Sequence, residues 1–376
     1  MHFTGYIKNV RYEAHLTESL REYELSDFDI NEAQSYGVIK SSNAQMGFSK
    51  WVSPKRTRSY PFERIYNTFN CSKSVTVIPV IKDEGKDGDL DKIQFSTISW
   101  MNLLNVYIVL GYYETADKNR TSQQVHREKL TKQRFNTTFV NEQIRSIFAY
   151  KQSALHWNKH LFETRFAEIF QTALHSYQEI SRRTGVAIHS QEALYKYLSA
   201  ITSDFERFQS LSLKGSQSAS NRELQTHHAL ELLSDDAKAT FALENYLGGV
   251  YYLTADEVFY DNETLIIQES KNSTRSFLPS LSDIRDGLFK LVLFSNIDEL
   301  RVDGVKTPFR VRLKCTGQKL GTFLKLPCSV NEIEAFINHS SNQGITSKQR
   351  DVLNRLNAEA QANGLEISIG GVSANA

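Results

Sequence analysis

A strand-like run that ends in acidic and basic side chains is the part of the sequence best suited to chemistry. Residues 265–268 (Leu-Ile-Ile-Gln) lead directly into Glu269, Ser270 and Lys271. Side chains alternate along a strand, so Glu269 and Lys271 are expected to point to the same face. Asp256 stands thirteen positions before Glu269, in another short apolar run. An acid and an amine at i and i+2, with a second acid nearby, indicate a divalent-metal site that hydrolyses phosphodiesters.

The register of the predicted hairpin decides which acid stands beside Glu269. The two strands are joined by the turn-like segment 261–263 (Asp-Asn-Glu). If the loop consists of the first two of these residues, Asp256 and Glu269 are diagonal neighbours about 7 Å apart, a span that a metal ion can bridge. A four-residue loop places them directly opposite each other, whereas a three-residue loop reverses the parity and brings Glu257 to that face. We prefer the two-residue loop and predict Asp256, with Glu257 as the alternative.

The same residues resemble a known nuclease family. Asp256, then Glu269-Ser270-Lys271, then an amphipathic helix and another strand, resemble the PD-(D/E)XK nucleases. The polar loop and Leu278-Pro279-Ser280 before that helix look most like type II restriction endonucleases. The resemblance covers roughly residues 222–330 and departs from the family pattern at Ala255, where a proline often precedes the aspartate.

This resemblance implies a role for each residue of the motif. Asp256 and Glu269 are expected to hold Mg²⁺, and the backbone carbonyl of Ser270 is expected to add an oxygen ligand. Lys271 is expected to orient the attacking water and stabilise the phosphorane. The family also implies a helix before the hairpin, and Glu231 is the preferred candidate there for an additional acid.

The function predicted from these residues is magnesium-dependent, sequence-specific cleavage of double-stranded DNA, as by a type II restriction enzyme. We expect a homodimer, with a cognate DNA methyltransferase as a possible partner in the same system. The alternatives are a nonspecific repair or RNA-directed nuclease, and a non-catalytic nucleic-acid-binding module on the same scaffold. An exposed Glu–Lys pair on a solvated strand face is the alternative without any function.

Local basic segments have to carry any attraction to DNA, because the formal net charge of the chain is only +1. One such segment lies at 50–58 and a second, with six cations against one acid, lies at 118–134. Contact with phosphates and simple solvation are both compatible with these segments, and the nuclease hypothesis favours contact. The residues predicted to contact DNA are Lys55, Arg56, Arg58, Lys118, Arg120, Arg127, Lys129, Lys132, Arg134, Asn272, Ser273 and Arg275.

Hydrophobic patterning predicts an α/β (α+β) protein with a mixed central sheet flanked by helices, and the resemblance implies a restriction-endonuclease-like core. The 376 residues suffice for two domains, and the small polar stretch 213–221 is the best boundary. We expect an α+β DNA-recognition region at 1–215 and a catalytic region with C-terminal helices at 216–376. Segment 222–246 is predicted to be helical. The sequence does not decide whether the acidic loop 83–91 has a function.

Cysteine usage and hydropathy predict a cytoplasmic protein. The three cysteines, Cys71, Cys315 and Cys328, fit neither a metal site nor a disulfide framework. The N-terminus lacks the pattern of a signal peptide. The most apolar run, 103–113, is too short to span a bilayer, so we expect no membrane association.

Overall fold

The structure, a computed structural model, contains helices and several sheets. It describes residues 1–42, 44–54, 60–120, 128–202, 237–245 and 250–371. The strands are β1 (Phe3–Ile7), β2 (Glu22–Glu24), β3 (Tyr36–Ser41), β4 (Ala44–Lys50), β5 (Ser74–Pro79), β6 (Ile81–Asp83), β7 (Leu90–Lys92), β8 (Tyr107–Gly111), β9 (Tyr113–Lys118), β10 (Leu130–Phe135), β11 (Ala237–Asn245), β12 (Val250–Asp261), β13 (Thr264–Ser273), β14 (Glu299–Val302), β15 (Val305–Lys306), β16 (Phe309–Gly317), β17 (Leu324–Leu326) and β18 (Glu366–Gly370). The helices are α1 (Tyr60–Asn67), α2 (Phe95–Leu103), α3 (Thr137–Ala149), α4 (Ala154–Thr164), α5 (Phe166–Thr184), α6 (Gln191–Thr202), α7 (Leu281–Ser295), α8 (Val330–Asn338) and α9 (Ser347–Asn363). The predicted α+β class is confirmed.

The chain forms two compact units, and its first 18 residues belong to the unit that contains the C-terminal region. One unit contains Met1–Glu18 together with Gly215–Ala376, and the other contains Ser19–Lys214. The sequence-based division placed residues 1–18 in the N-terminal region. They belong instead with the C-terminal region because β1 pairs in parallel with β11 and antiparallel with β14.

The unit that carries the candidate motif is built on a nine-stranded mixed sheet. Its strand order is β15-β14-β1-β11-β12-β13-β16-β18-β17. Strands β13, β16 and β18 run parallel, whereas β12 is antiparallel to both of its neighbours. Helix α7 packs on β13 and β16, and α9 packs on β17 and β18. In β16 the buried side chains of Val311, Leu313 and Cys315 alternate with more exposed polar ones, as expected for a strand with one covered face.

The prediction of helix over 222–246 is wrong for its last part, because Ala237–Asn245 is strand β11. The alanine and leucine content of this segment favours a helix locally. In the structure the segment pairs with β1 on one side and β12 on the other. Pairing on two sides and the burial of Phe241 and Leu243 outweigh the weak local preference.

The other unit combines a five-stranded sheet with a group of helices. The sheet has the order β2-β3-β4-β5-β8, and α3 and α4 pack on β8. Phe166, Phe170 and Tyr177 of α5 are buried and form the side of this helix that faces the core. Gly185 ends α5 in the left-handed conformation. Across the described ranges, no helix has both the length and the apolar character needed to cross a membrane.

Candidate active site

The turn of the β12–β13 hairpin lies one residue later than we predicted. Asp261 pairs with Thr264, so the loop consists of Asn262 and Glu263. Asn262 adopts a left-handed φ of 55°, which asparagine tolerates better than most residues. The loop keeps two residues, but the register becomes the one expected for the four-residue alternative.

Asp256 and Glu257 are the two candidates for the acid beside Glu269. This register and a β-bulge place them on opposite faces of the sheet. The observed pairs end at Glu257 and Gln268, and continuing this register by one residue brings Asp256 opposite Glu269. The pairing of β12 with β11 shifts by one residue at Asp256 and Glu257, which marks the bulge. Glu257 accepts hydrogen bonds from the side chains of Gln268 and Ser270, the second at 2.7 Å. Asp256 instead accepts the backbone N–H of Ser270 at 3.0 Å.

Helix α7 brings two further charged side chains to the face that carries Glu269 and Lys271. The Nζ of Lys271 lies 2.7 Å from Oδ2 of Asp286 and 3.1 Å from Oε1 of Glu269. The Nζ of Lys290 lies 2.8 Å from Oε1 and 3.0 Å from Oε2 of Glu269. Asp286 and Lys290 are site residues that the sequence alone did not predict. Their signal was an acid and a base four positions apart on one side of a helix whose other residues are mostly apolar.

The close approach of α7 to β13 depends on a glycine. A Cβ at Gly287 would lie 3.1 Å from Cε of Lys271 and 2.8 Å from Cδ1 of Leu313. The start of α7 is set by Ser280, whose Oγ accepts the N–H of Asp283 at 3.1 Å. Capping and close packing together fix which helix positions face the strand.

The buried cluster contains one carboxyl group with an unusual proton affinity and two lysines that remain charged. Burial raises the pKa of Glu269 to about 7, and the charge of Asp256 acts in the same direction, while Lys290 and Lys271 oppose it. Burial lowers the pKa of Lys271, but the carboxylates of Glu269 and Asp286 outweigh burial and raise it. For Lys290, burial is likewise outweighed by Glu269 and Asp256, and its pKa is raised. Both lysines therefore act as cations near neutral pH.

The acids of this face fit a magnesium ion with few protein ligands. Within the described ranges, no group of three or more His, Cys, Asp or Glu side chains is arranged to hold a metal. Mg²⁺ is usually bound through one or two carboxylates and completed by water and substrate phosphate. The carboxylates of Asp256 and Glu269 suit that mode, and they do not make a four-ligand zinc site. The carbonyl of Ser270 stays a predicted third donor.

Comparison with known proteins adds nothing to this geometry. No family model, curated protein or solved structure matches the chain. The face shared by β13 and α7 brings the carboxylates of Glu269 and Asp286 together with the ammonium groups of Lys271 and Lys290.

The opposite face of the same sheet carries a separate polar cavity of about 500 Å³. Glu257 lines this cavity together with Arg312, Lys314 and Glu366. Arg312 is 3.1 Å from Glu366, and Lys314 is 3.8 Å from Glu257. The sheet thus separates the environment of Glu257 from that of Glu269.

We predict that Asp256→Asn abolishes magnesium-dependent cleavage and that Glu257→Gln has a much smaller effect. Both amides keep an oxygen that can accept the hydrogen bond from Ser270, so both variants are expected to fold. Only the first removes a charge from the face of Glu269. Cleavage rates of the two purified variants under identical conditions test the assignment. The reverse order of activities would place the metal on the face of Glu257.

Four of the five described cations of the second basic segment are paired with acids, which reduces its net positive charge. The pairs are Lys118–Glu128 at 3.8 Å, Lys129–Glu84 at 3.2 Å, Lys132–Asp117 at 3.8 Å and Arg134–Glu32 at 2.6 Å. Arg120 is exposed. The predicted contact residues Lys55, Arg56, Arg58 and Arg127, and the possible additional acid Glu231, lie outside the described residues. Contact of this segment with DNA stays a prediction.

Several side chains at the end of β13, in the loop after it and in the acidic loop have structural roles. Asn272 accepts a hydrogen bond from Thr316 at 3.1 Å, and Ser273 accepts the N–H of Ser276 at 3.0 Å. Arg275 is exposed and so accessible to a ligand. In the acidic loop, the buried carboxylate of Asp83 accepts the N–H of Gly85 at 2.8 Å and lies 2.9 Å from Nδ1 of His189. Asp83 is thus held by protein partners.

We predict that Lys132→Gln weakens binding of cognate and random duplexes alike. Loss of one phosphate contact should flatten the slope of log affinity against log salt by about 0.9. Lys132 is 78% exposed and its nearest acid is 3.8 Å away, so its charge is available to DNA. Lys159→Gln is the matched control, since Lys159 is 64% exposed and also lies 3.8 Å from an acid. Equal slopes for both variants would mean that Lys132 merely faces water.

Proposed function

We propose that the chain is a magnesium-dependent phosphodiester hydrolase of the PD-(D/E)XK type that cleaves double-stranded DNA. One observation carries the proposal. Glu269 and Lys271 share one face of a sheet, beside a helix that adds Asp286 and Lys290, and the charge of Asp256 acts on Glu269 and Lys290. Two carboxylates and an ammonium group on one face are the groups that phosphodiester hydrolysis needs.

Each residue has a role that follows from its surroundings. Asp256 and Glu269 would hold magnesium, which when bound lowers the pKa of water and offsets negative charge on the phosphate. Lys271 keeps its proton, so it would orient the attacking water and stabilise the charge on the phosphorane, and would not act as a base. Asp286 holds the ammonium of Lys271 from the side of α7.

The proposal extends to sequence specificity, oligomeric state, location and a partner enzyme. We propose sequence-specific cutting, as by a type II restriction enzyme, with residues 19–214 supplying recognition, since a small catalytic core reads few bases. A homodimer would match a two-fold symmetric DNA site. Cytoplasmic location suits the three free cysteines, and a cognate methyltransferase would protect host DNA.

Cleavage of plasmid DNA with and without Mg²⁺ tests the proposal. Discrete fragments that appear only with Mg²⁺ are the expected result. A smear would replace sequence-specific cutting by nonspecific nuclease activity. Binding of DNA without any cleavage under either condition would leave a non-catalytic binding module as the function.

A further inference from the structure

We propose that Lys290 is a counter-ion for Glu269 that competes with the divalent cation and thereby sets the metal affinity of the site. The proposal rests on the proposed function, because it concerns the same two carboxylates. Lys290 would act through Glu269 as a positioning residue and would not touch the substrate.

The contacts of Lys290 place its ammonium where a cation would bind. Its Nζ spans both carboxylate oxygens of Glu269, at 2.8 Å and 3.0 Å. Lys271 takes a further position on Oε1 at 3.1 Å. A carboxylate offers about four lone-pair positions, so a metal that binds Glu269 has to displace Lys290 or share the carboxylate with it.

Lys271 and Lys290 differ in whether they keep an ion pair when a metal binds Glu269. Lys271 already lies 2.7 Å from Asp286, so it can give up Glu269 and keep an ion pair. Lys290 directs its ammonium at both oxygens of Glu269, whose side chain is only 1% exposed. Charges in a buried site are screened little by solvent. A divalent cation on Glu269 is therefore repelled by Lys290 far more strongly than it would be at a surface.

The charge balance of the cluster agrees with an exchange of cations. Asp256, Glu269 and Asp286 supply three carboxylates against the ammonium groups of Lys271 and Lys290. Without a metal, Lys290 keeps the buried Glu269 from being an unpaired charge. With a metal, that compensation is no longer needed. Because such coupling is reciprocal, Lys290 must weaken metal binding as much as the metal weakens the Lys290–Glu269 pair.

Metal affinity of the full-length protein tests this proposal apart from any activity. The thermal unfolding midpoint is followed against Mg²⁺ concentration at pH 8.0 for wild type, Lys290→Gln and Lys306→Gln. Glutamine at 290 keeps a hydrogen-bond donor for Glu269 and removes the charge. Lys306 is the matched control, since its Nζ lies 3.5 Å from a carboxylate oxygen of Glu299 and its side chain is 72% exposed.

We expect Lys290→Gln to bind Mg²⁺ at least about tenfold more tightly than wild type, as removal of a like charge near the ion requires. Without Mg²⁺ this variant should melt below wild type, and Mg²⁺ should close the gap. Lys306→Gln should follow wild type throughout. If Lys290→Gln folds only with Mg²⁺, the proposal is supported, and Lys290→Met serves as the second uncharged variant.

Equal or weaker Mg²⁺ binding by both uncharged variants would overturn the proposal and leave Lys290 as a purely structural counter-ion. Failure of Mg²⁺ to stabilise wild type or either variant would also overturn it. Failure of the proposed function looks different. In that case Mg²⁺ binding would depend on Lys290 as expected, but wild type would not cleave DNA.

Discussion

Glu269→Gln is expected to reduce magnesium-dependent DNA cleavage by at least about a hundredfold, with duplex binding retained. The substitution removes the buried negative charge that lies between Lys271 and Lys290. Glutamine has nearly the volume of glutamate and keeps an oxygen toward these lysines, so the fold should survive. Single-turnover cleavage of a plasmid and binding to a short duplex, measured on the same preparation, separate chemistry from affinity.

Lys271→Met should lose as much activity as Glu269→Gln, because it removes the ammonium that would stabilise the phosphorane. Glu366→Gln is the matched control for both variants. Glu366 is a half-buried glutamate of the same sheet, paired with Arg312 at 3.1 Å on the opposite face. Its variant should cut like wild type. Wild-type cutting rates in Glu269→Gln or Lys271→Met would remove these residues from the catalytic assignment.

Glu359→Ala is expected to destabilise the protein by about 3–5 kcal/mol. The carboxylate of Glu359 is fully buried and accepts Oη of Tyr12 at 2.7 Å, the N–H of His15 at 2.5 Å and the N–H of Leu16 at 3.2 Å. Alanine leaves these donors without their acceptor in a buried place. Equilibrium urea unfolding followed by circular dichroism gives the change in free energy.

The N-terminal segment held by Glu359 should be the first part of the structure to respond. Arg285 of α7 donates to the carbonyl of Leu16 at 2.8 Å, and Arg355 of α9 donates to that of His15 at 2.7 Å. Because Glu359 accepts hydrogen bonds from Tyr12, His15 and Leu16, amide hydrogen exchange over 12–18 should rise more in Glu359→Ala than amide exchange in the sheet. Glu359→Gln, which keeps one acceptor oxygen, should cost less.

A surface glutamate provides the control for this stability prediction. Glu334 is 37% exposed, and one of its carboxylate oxygens lies 3.3 Å from Nη1 of Arg350. Its replacement by alanine should cost only about 0–1 kcal/mol. If Glu359→Ala costs no more than Glu334→Ala, the buried hydrogen bonds of Glu359 contribute little to stability.

Local patterns in the sequence were enough to predict the strand that carries the motif. The apolar run 265–267 and strand alternation put Glu269 and Lys271 on one face, and the structure shows α7 contacting both. The C-terminal helices, which are α8 and α9 in the structure, could also be predicted from local patterns. These features depend on neighbours within a few residues, which a sequence displays directly.

Contacts between distant parts of the chain decided the rest. The turn at Asn262 and the bulge at Asp256 set the register between β12 and its neighbours, and no local pattern specifies a bulge. Strand β11 is a strand because β1 and β12 pair with its two edges, and β1 comes from the far end of the chain. Asp286 and Lys290 became site residues only when α7 packed across β13. Sequence alternation determines which side chains share a face, whereas the packing of α7 on β13 and β16 decides which charges meet there.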